Sequence, residues 1–280
     1  MTFEEYLRQF YADETIRSYM YIIDTFRKNC RNADNLGYKG ILNYISKHNL
    51  RSYAQLSALK KYFDYLIDIH VREDHPCASI VVKHPSQVVQ FQDLFSIEEL
   101  ELLLKIDFRY KQIKRRNKSI LSLLIYQGLT PTNIANIRLR DLILEEGSLY
   151  IRQTPKVRKR LLMLHEKQLD FLQLYLKKER NKLVKDQTDK LFLTQNANDF
   201  SPEALNRLLR PLKALYPSKN LTALAIRQSV ISNWINGQHL SIEQVQTLSG
   251  QKWLSTTEKY KRKNMHERVK TINTYFPDIA

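Results

Sequence analysis

The sequence has 280 residues, with 45 Lys and Arg against 29 Asp and Glu, which gives a formal net charge of +16. Such a length favours two domains, and a hydrophobic content of 43% is enough to form folded cores. The positive charge favours a polyanionic partner, because each phosphate that a protein neutralises releases condensed counterions. A basic protein without a nucleic-acid role is the alternative, but the charge is spread over aromatic-rich, folded-looking sequence rather than held in a tail.

Several classes of protein are disfavoured. The two cysteines, Cys30 and Cys77, form neither a disulfide framework nor a zinc-binding spacing, which predicts a reducing, cytoplasmic location. The alternative interpretation of each cysteine is a small apolar side chain buried in a core. The N-terminus lacks the basic and apolar regions of a signal peptide, and no apolar run approaches the roughly 18 residues of a membrane span. We therefore expect a soluble protein without a membrane partner.

The N-terminal part of the chain has helical periodicity. Asp13 is a candidate N-cap for the first clear amphipathic segment. The apolar positions of this segment are Ile16, Tyr19, Met20, Ile23 and Phe26. A later segment repeats the pattern, with Lys60 and Lys61 on its polar face. Its apolar positions are Leu56, Leu59, Tyr62, Phe63, Leu66 and Ile67. Residues 1–72 are predicted to form about four helices.

Periodicity stops in residues 73–95, which contain Pro76 and Pro85, and this predicts a linker. We place an N-terminal domain at residues 1–75, a linker at 76–95 and a C-terminal domain at 96–280. The C-terminal domain should open with a capping box at Ser96 and Glu99.

Helix boundaries and strands follow in order. A helix over residues 118–127 should end at Gly128, and another should run through Asn133 and Ile134. Three short strands are predicted at residues 142–144, 149–152 and 160–164, with a basic hairpin at 154–158. Later helices are signalled by Ser201 before Pro202 and by a capping box at Ser241 and Gln244. The expected fold is mainly α with a small three-stranded antiparallel sheet.

Short motifs in the same order resemble those of the tyrosine recombinases of the phage-integrase family. Residues 128–134 are similar to the GLR-x-x-E-L block, 224–227 to H-x-x-R, 249–251 to L-G-H, and 255–260 to S-T-T-x-x-Y. Residues 15–19 and 56–66 resemble the helical, SAM-like core-binding domain of that family. The resemblance therefore spans nearly the whole chain.

The resemblance implies a reaction and roles for three residues. In this family a tyrosine attacks a phosphodiester and forms a 3′-phosphotyrosyl link, two arginines bind the phosphate, histidines assist, and a hairpin lysine protonates the leaving oxygen. Tyr260 corresponds to the nucleophile and Arg227 to the second arginine. Lys156 is the candidate general acid; Lys159 is the second choice, because Pro155 disturbs the register. No cofactor and no metal are expected.

Three positions depart from the family pattern. Thr130 stands at the first arginine position, and Leu224 and Gln251 stand at the two histidine positions. Losing one preorganised transition-state donor typically costs about 2.7–4 kcal/mol, so cleavage is in question. The candidate substitutes are Lys252, Arg138, Arg140 and His239.

Features suited to DNA binding are better preserved. A basic stretch at residues 109–118 includes Arg115 and Arg116; a solvated surface loop is its alternative interpretation. Arg158, Lys159 and Arg262 are further candidates for contacts with phosphates. The expected partner is double-stranded DNA, bound by a homo-oligomer or together with another recombinase. The tail at residues 264–280 would dock on a neighbouring protomer or pack on its own domain.

Three functions fit these features. The first is a recombinase or integrase that acts in site-specific recombination of a mobile element. The alternative is a catalytically inactive homologue that serves as a DNA-binding accessory or regulatory protein. A third interpretation, a DNA-relaxing enzyme of the type IB topoisomerase kind, would use the same chemistry but fits the N-terminal region less well.

Overall fold

The structure is a computed structural model of the chain, and it describes residues 1–47, 52–82, 89–155, 157–184 and 188–262. The chain divides into two compact units, Met1–Gln87 and Val88–Ala280. Each unit has its own buried apolar cluster, so each is described by itself.

The first unit is helical throughout its described regular structure, and the predicted number of helices is confirmed there. These helices are α1 (Phe3–Arg8), α2 (Asp13–Asn29), α3 (Tyr38–Lys47) and α4 (Ser52–Asp68). Its core is rich in aromatic side chains. Phe26, Tyr62 and Phe63 are fully buried, and the rings of Phe26 and Phe63 meet edge to face.

The predicted N-cap of α2 is wrong by one residue. Ala12 occupies the cap position with an extended backbone and makes no side-chain hydrogen bond, and Asp13 is the first helical residue. The carboxylates of Asp13 and Glu14 still lie in the first turn, where they interact favourably with the positive end of the helix dipole. An acidic residue near a helix start suits both positions, so the sequence could not separate them.

Parts of the segment predicted as a linker pack into the two cores. Cys77 and Ile80 are buried in the first unit, and Val89 and Phe95 are buried in the second. Isolated buried residues in irregular backbone have no period, which is why the sequence pattern did not indicate them.

The second unit is mainly helical. Its described helices are α5 (Ile97–Lys105), α6 (Lys114–Gln127), α7 (Pro131–Asn136), α8 (Glu166–Tyr175), α9 (Asn181–Leu183), α10 (Pro202–Leu209), α11 (Ala223–Asn236), α12 (Ile242–Ser249) and α13 (Leu254–Glu258). The predicted capping boxes at Ser96 and Ser241 are confirmed. So are the Ser201 cap before Pro202 and the end of α6 at the left-handed Gly128. No described helix is long and apolar enough to cross a membrane.

The described strands form one antiparallel sheet in the order β1 (Leu142–Ile143), β2 (Ser148–Ile151) and β3 (Arg160–Met163). They confirm the three predicted strands with small shifts at the ends. Along β3, Arg160 and Leu162 are buried while Leu161 and Met163 are exposed. An arginine therefore occupies an inward position, opposite the buried Ile151 of β2.

The end of α6 is held against α11. A Cβ on Gly128 would lie 3.4 Å from Cγ1 of Val230 and 3.7 Å from the Trp234 ring. At its other end, α6 is capped by Glu179, whose buried carboxylate accepts the backbone N–H groups of Arg115 and Arg116 at 2.9 Å each. Both ends of α6 are thus fixed by tertiary contacts, and its C-terminal turn is placed beside α11.

The two cysteines should react differently with thiol reagents. Burial in the first core raises the pKa of the Cys77 thiol to about 12. Burial raises the pKa of the Cys30 thiol as well, but Cys30 is only partly buried and is therefore within reach of a reagent. At about pH 8, Ellman's reagent should label Cys30 in the folded protein and reach Cys77 only after denaturation. Mass spectrometry of the labelled peptides checks this, with Cys30→Ser as the silent control. Equal labelling rates without denaturant would contradict it.

Candidate active site

Arg227 lies in the second turn of α11 and is only 8% exposed. Its Nη1 donates to the carbonyl of Gly128 after α6, and its Nη2 donates to the carbonyl of Ser249, the last residue of α12, at 2.9 Å. The Arg227 guanidinium therefore connects α11 to the ends of α6 and α12. Burial lowers the pKa of Arg227, and the neighbouring Tyr260 acts in the opposite direction.

Tyr260 follows α13 and is 7% exposed. Its backbone is fixed at both sides: its N–H donates to the carbonyl of Thr257 at 3.1 Å, and its carbonyl accepts from Nδ2 of Asn236 at 2.8 Å. Its pKa is raised by burial, while the charge of Arg227 and a hydrogen bond from Gln228 act to lower it. The phenol is thus a buried hydroxyl beside a buried cation, although the two residues lie in distant motifs of the sequence.

The hairpin between β2 and β3 runs along the turn that follows α12. The Arg158 N–H donates to the carbonyl of Gly250 at 2.8 Å, and its guanidinium donates to the carbonyl of Lys252 at 2.9 Å. Val157 pairs with Gln251 in an antiparallel bridge. Lys159 is exposed. Lys156 lies outside the described residues, as does the tail at 264–280.

Arg160 is a buried cation at the start of β3 that the sequence motifs do not single out as a site residue. It is 6% exposed, and its Nε and Nη2 have no hydrogen-bond partner among the described residues. Burial, and after it the like charge of Arg227, lower the pKa of Arg160 to about 9. The signal was present in the sequence, since alternation along β3 puts Arg160 on the same face as Leu162.

Gly250 makes the close approach of these segments feasible. It ends α12 in the left-handed region, at a φ of 70°. A Cβ built on it would lie 2.4 Å from Nη1 of Arg160 and 2.7 Å from Cγ1 of Val157. Only a glycine satisfies both the backbone conformation and the available space.

The three substituted positions have distinct surroundings. Thr130 is the N-cap of α7, where its hydroxyl accepts the Asn133 N–H at 3.1 Å. Gln251 is buried and accepts a hydrogen bond from the hydroxyl of Thr257 at 2.6 Å. Leu224 is 53% exposed on the first turn of α11. Two of these side chains therefore support local structure, and the third faces solvent.

The structure distinguishes among the proposed substitutes. Arg138 donates to the carboxylate of Asp189 at 2.8 Å, which directs its guanidinium to that group. Arg140 and His239 are exposed. Lys252 is next to Gln251, and its carbonyl accepts a hydrogen bond from Arg158. Of the four candidates, Lys252 is therefore the one whose backbone is hydrogen-bonded to the hairpin.

The residues predicted to contact DNA also differ from one another. Arg116 is buried; its guanidinium donates to the carbonyl of Leu193 at 2.8 Å and, through Nε and Nη2, to Oδ1 of Asn117. A DNA contact by Arg116 stays a prediction that this geometry does not favour. Arg115 is partly exposed and pairs with Glu179 at 3.4 Å. Arg262 is exposed, and its guanidinium lies 5.5 Å from the centre of the Phe91 ring.

The charged side chains described at this site, Arg160 and Arg227, are both positive. Among described residues, the charge that bears on the pKa of Arg160 is that of Arg227, and the group that bears on Arg227 is Tyr260. Neither pKa reflects a neighbouring carboxylate. Two buried guanidinium groups beside a hydroxyl can bind an anion and stabilise negative charge that develops on it.

Known protein sequences resemble this chain over most of its length. The sequence model of the Phage integrase family matches residues 94–267. The tyrosine recombinase XerD of Vibrio vulnificus (strain YJ016) is 26% identical over 278 aligned residues, which cover 94% of this chain and 89% of that protein. XerD of Oceanobacillus iheyensis is 25% identical over 233 residues, covering 81% and 76%.

Solved structures share the fold at low sequence identity. A lambda integrase dimer bound to a COC′ core site has a TM-score of 0.70 and 15% identity, with 92% of both chains covered. The Tn1549 transposon integrase in complex with a circular intermediate DNA has a TM-score of 0.69 and 14% identity, covering 99% of this chain and 100% of that one. XerH bound to a palindromic difH substrate has a TM-score of 0.67 and 20% identity, covering 93% and 79%.

Replacing Gly250 should disturb this site more than replacing a glycine elsewhere. Gly250→Ala adds the cost of a left-handed residue, about 1–2 kcal/mol, and a collision with Arg160 and Val157. Gly147→Ala is the matched control, because Gly147 also has a positive φ, of 63°, but its Cβ would meet only Leu169, at 3.4 Å. Denaturant unfolding should show a larger loss of stability for Gly250→Ala; equal losses would contradict the close approach.

Proposed function

The chain belongs to the phage integrase family, and from this premise we propose that it acts in site-specific recombination, cutting and rejoining duplex DNA through a 3′-phosphotyrosyl intermediate at Tyr260. The observation that carries the proposal is the pairing of a buried phenol with a buried guanidinium. Tyr260 and Arg227 come from separate motifs, yet each bears on the pKa of the other. A tyrosine kept only for packing would not require a charged neighbour inside the core.

The reaction that we propose consists of two exchanges at phosphorus. The Tyr260 oxygen attacks the phosphorus of a diester and loses its proton, while the bond to the 5′ oxygen breaks and that oxygen takes up a proton. In the second exchange a 5′-hydroxyl attacks the phosphotyrosyl phosphorus and releases the tyrosine. One ester bond replaces another in each step, so the energy of the broken bond is retained and no energy-supplying cofactor is needed.

The roles of the side chains follow from the charge that develops. Arg227 would stabilise the non-bridging oxygens in the transition state. The hydrogen bond from Gln228 and the charge of Arg227 both favour the ionised phenol, against the effect of burial. Lys156 is proposed as the proton donor to the 5′ oxygen, with Lys159 as the second candidate; Lys159 follows Arg158, whose N–H donates to the carbonyl of Gly250.

Duplex DNA is the proposed partner. The net charge of +16 supports it, as do the relatives solved as a lambda integrase dimer on a core site and as XerH on a difH substrate. We propose that residues 1–75 and 96–280 form a core-binding and a catalytic domain, and that the protein acts as a homo-oligomer or beside another recombinase. Arg158, Lys159, Arg262 and Arg115 are proposed to contact phosphates.

A second function is favoured by the substituted positions. Thr130 and Gln251 are engaged in hydrogen bonds of the fold, and Leu224 has no polar atom on its side chain. Each missing donor typically costs about a hundred- to a thousand-fold in rate. If these losses remain uncompensated, the protein would be an inactive homologue that binds recombination sites as an accessory or regulatory factor.

A covalent adduct with DNA separates the two functions. Duplexes selected for binding from a random library would be nicked near each possible cleavage position, so that the released fragment diffuses away and the adduct accumulates. The active protein should give an SDS-stable adduct that mass spectrometry maps to Tyr260. Tyr260→Phe should bind DNA and form none, whereas Tyr150→Phe, which changes a half-exposed tyrosine of β2, should leave the adduct unchanged. A wild-type protein that binds these duplexes without forming an adduct would favour the accessory role.

Duplex binding should depend strongly on salt. Removing one phosphate contact is expected to reduce the slope of log K against log salt by about 0.9. Arg158→Gln and Lys159→Gln should each show this change, with Lys167→Gln on α8 as the control for loss of an exposed charge. Fluorescence anisotropy over a salt series measures the slope, and binding that is insensitive to salt would overturn the proposal for both functions.

A further inference from the structure

We propose that Arg160 and Arg227 together bind one phosphate group, and that Arg160 supplies the second guanidinium that the Thr130 position lacks. The identity of this phosphate as the DNA diester attacked by Tyr260 rests on the proposed function. The anion site itself stands on the geometry of β3, α11 and the turn after α12.

The first argument is that Arg160 is buried without being satisfied. It is 94% buried as a residue, since 6% of it is exposed, yet Nε and Nη2 have no described partner and Nη1 reaches only the Arg158 carbonyl, at 3.4 Å. A buried charged donor without a partner is costly, because it has lost water and gained nothing in return. Such groups persist where a ligand completes them.

Burial alone does not leave arginines unsatisfied in this protein. Arg180 is equally buried, and its Nε and Nη2 donate to the carbonyls of Thr188, Lys190 and Leu191. Arg116 is equally buried and uses Nε, Nη1 and Nη2 within the fold. These two arginines have roles in the fold, whereas Nε and Nη2 of Arg160 have no partner among the residues that the structure describes.

The second argument is that two like charges lie near the same turn. Arg227 and Arg160 are close enough that the charge of Arg227 lowers the pKa of Arg160. Arg160 has Nε and Nη2 donors without a partner among the described residues, and the hydrogen bonds of Arg227 to Gly128 and Ser249 use two of the five N–H donors of its guanidinium. Free guanidinium donors of this kind suit the oxygens of a phosphate. The carbonyls at the end of α12 offset part of the repulsion, because Ser249 accepts from Arg227 and the negative end of the helix dipole lies there. An anion between the two groups would offset the rest.

The third argument is the room that Gly250 leaves. Because Gly250 has no side chain, Nη1 of Arg160 can lie close to its backbone. A Cβ on Gly250 would be only 2.4 Å from that nitrogen. The same turn carries the Gly250 carbonyl that accepts from Arg158 and the Ser249 carbonyl that accepts from Arg227. The turn at Ser249 and Gly250 therefore adjoins both guanidinium groups, that of Arg160 through the space at Gly250 and that of Arg227 through the Ser249 carbonyl.

The role of Arg160 can be measured without DNA. Wild type, Arg160→Met, Arg160→Lys and Arg180→Met would be melted by calorimetry in inorganic phosphate and in chloride of equal ionic strength. A ligand that binds the folded state raises the melting temperature by mass action, and the general salting-out effect of phosphate is common to all variants. The relevant quantity is therefore the difference between the phosphate responses of wild type and variant.

The proposal predicts opposite effects in the two conditions. In chloride, Arg160→Met should melt higher than wild type by about 2–4 °C, because it removes an unpaired buried charge. In phosphate, its specific response should be lost, and Arg160→Lys should keep part of it. Arg180→Met should melt lower while its phosphate response stays that of wild type. A lower melting temperature for Arg160→Met together with an unchanged response would show a role in folding only and would overturn the proposal; the same response in Arg160→Lys and wild type would also count against a fork-like site.

Failure of this site and failure of recombination are distinguishable. If the phosphate response depends on Arg160 but no DNA adduct forms, the two-arginine site stands and the recombinase function falls. If the wild type forms the adduct, and Arg160→Met forms it at an unreduced rate with an unchanged phosphate response, the recombinase function stands and Arg160 has no part in it. The proposal expects the adduct rate of Arg160→Met to fall by about a hundred- to a thousand-fold.

Discussion

The hydrogen bonds of Arg227 to two helix-end carbonyls join three helices of the second unit at the candidate active site. The guanidinium lies between the carbonyl of Gly128 after α6 and that of Ser249 at the end of α12. Helix ends leave carbonyls without intrahelical partners, and a cation is a suitable donor to them. The position of Tyr260 and the path of the hairpin both depend on the segments that Arg227 joins, so one side chain links the fold to the proposed chemistry.

The site is unusual in concentrating positive charge within a core. Arg227 and Arg160 are buried; burial lowers the pKa of both, the charge of Arg227 lowers that of Arg160 further, and Tyr260 acts to raise that of Arg227. Folding alone would favour apolar side chains here, since unpaired buried charges are destabilising. An arrangement that costs stability and leaves donors free is understandable where an anion binds during function. Arg116 and Arg180 illustrate the other solution, in which carbonyls and an amide satisfy the buried cation.

The residues at the three positions that depart from the family pattern have different structural roles. Thr130 caps α7, and Gln251 bonds with Thr257 next to the hairpin bridge, so both contribute to the shape of the site. Leu224 adds only an exposed apolar surface on α11. Two of the three positions therefore contribute hydrogen bonds to the fold.

The sequence by itself determined the mainly helical fold, the three strands and most helix ends, because these follow from periodicity and from capping at Ser96, Ser201 and Ser241. Motif order also indicated Tyr260 and Arg227, whose roles stay proposals. Only the tertiary structure decided that the Arg116 side chain is internal and that Arg160 is buried where the charge of Arg227 acts on it. The reason is physical: local pattern fixes which face of a strand or helix a residue takes, but the partners of a charged side chain are set by segments far away in sequence.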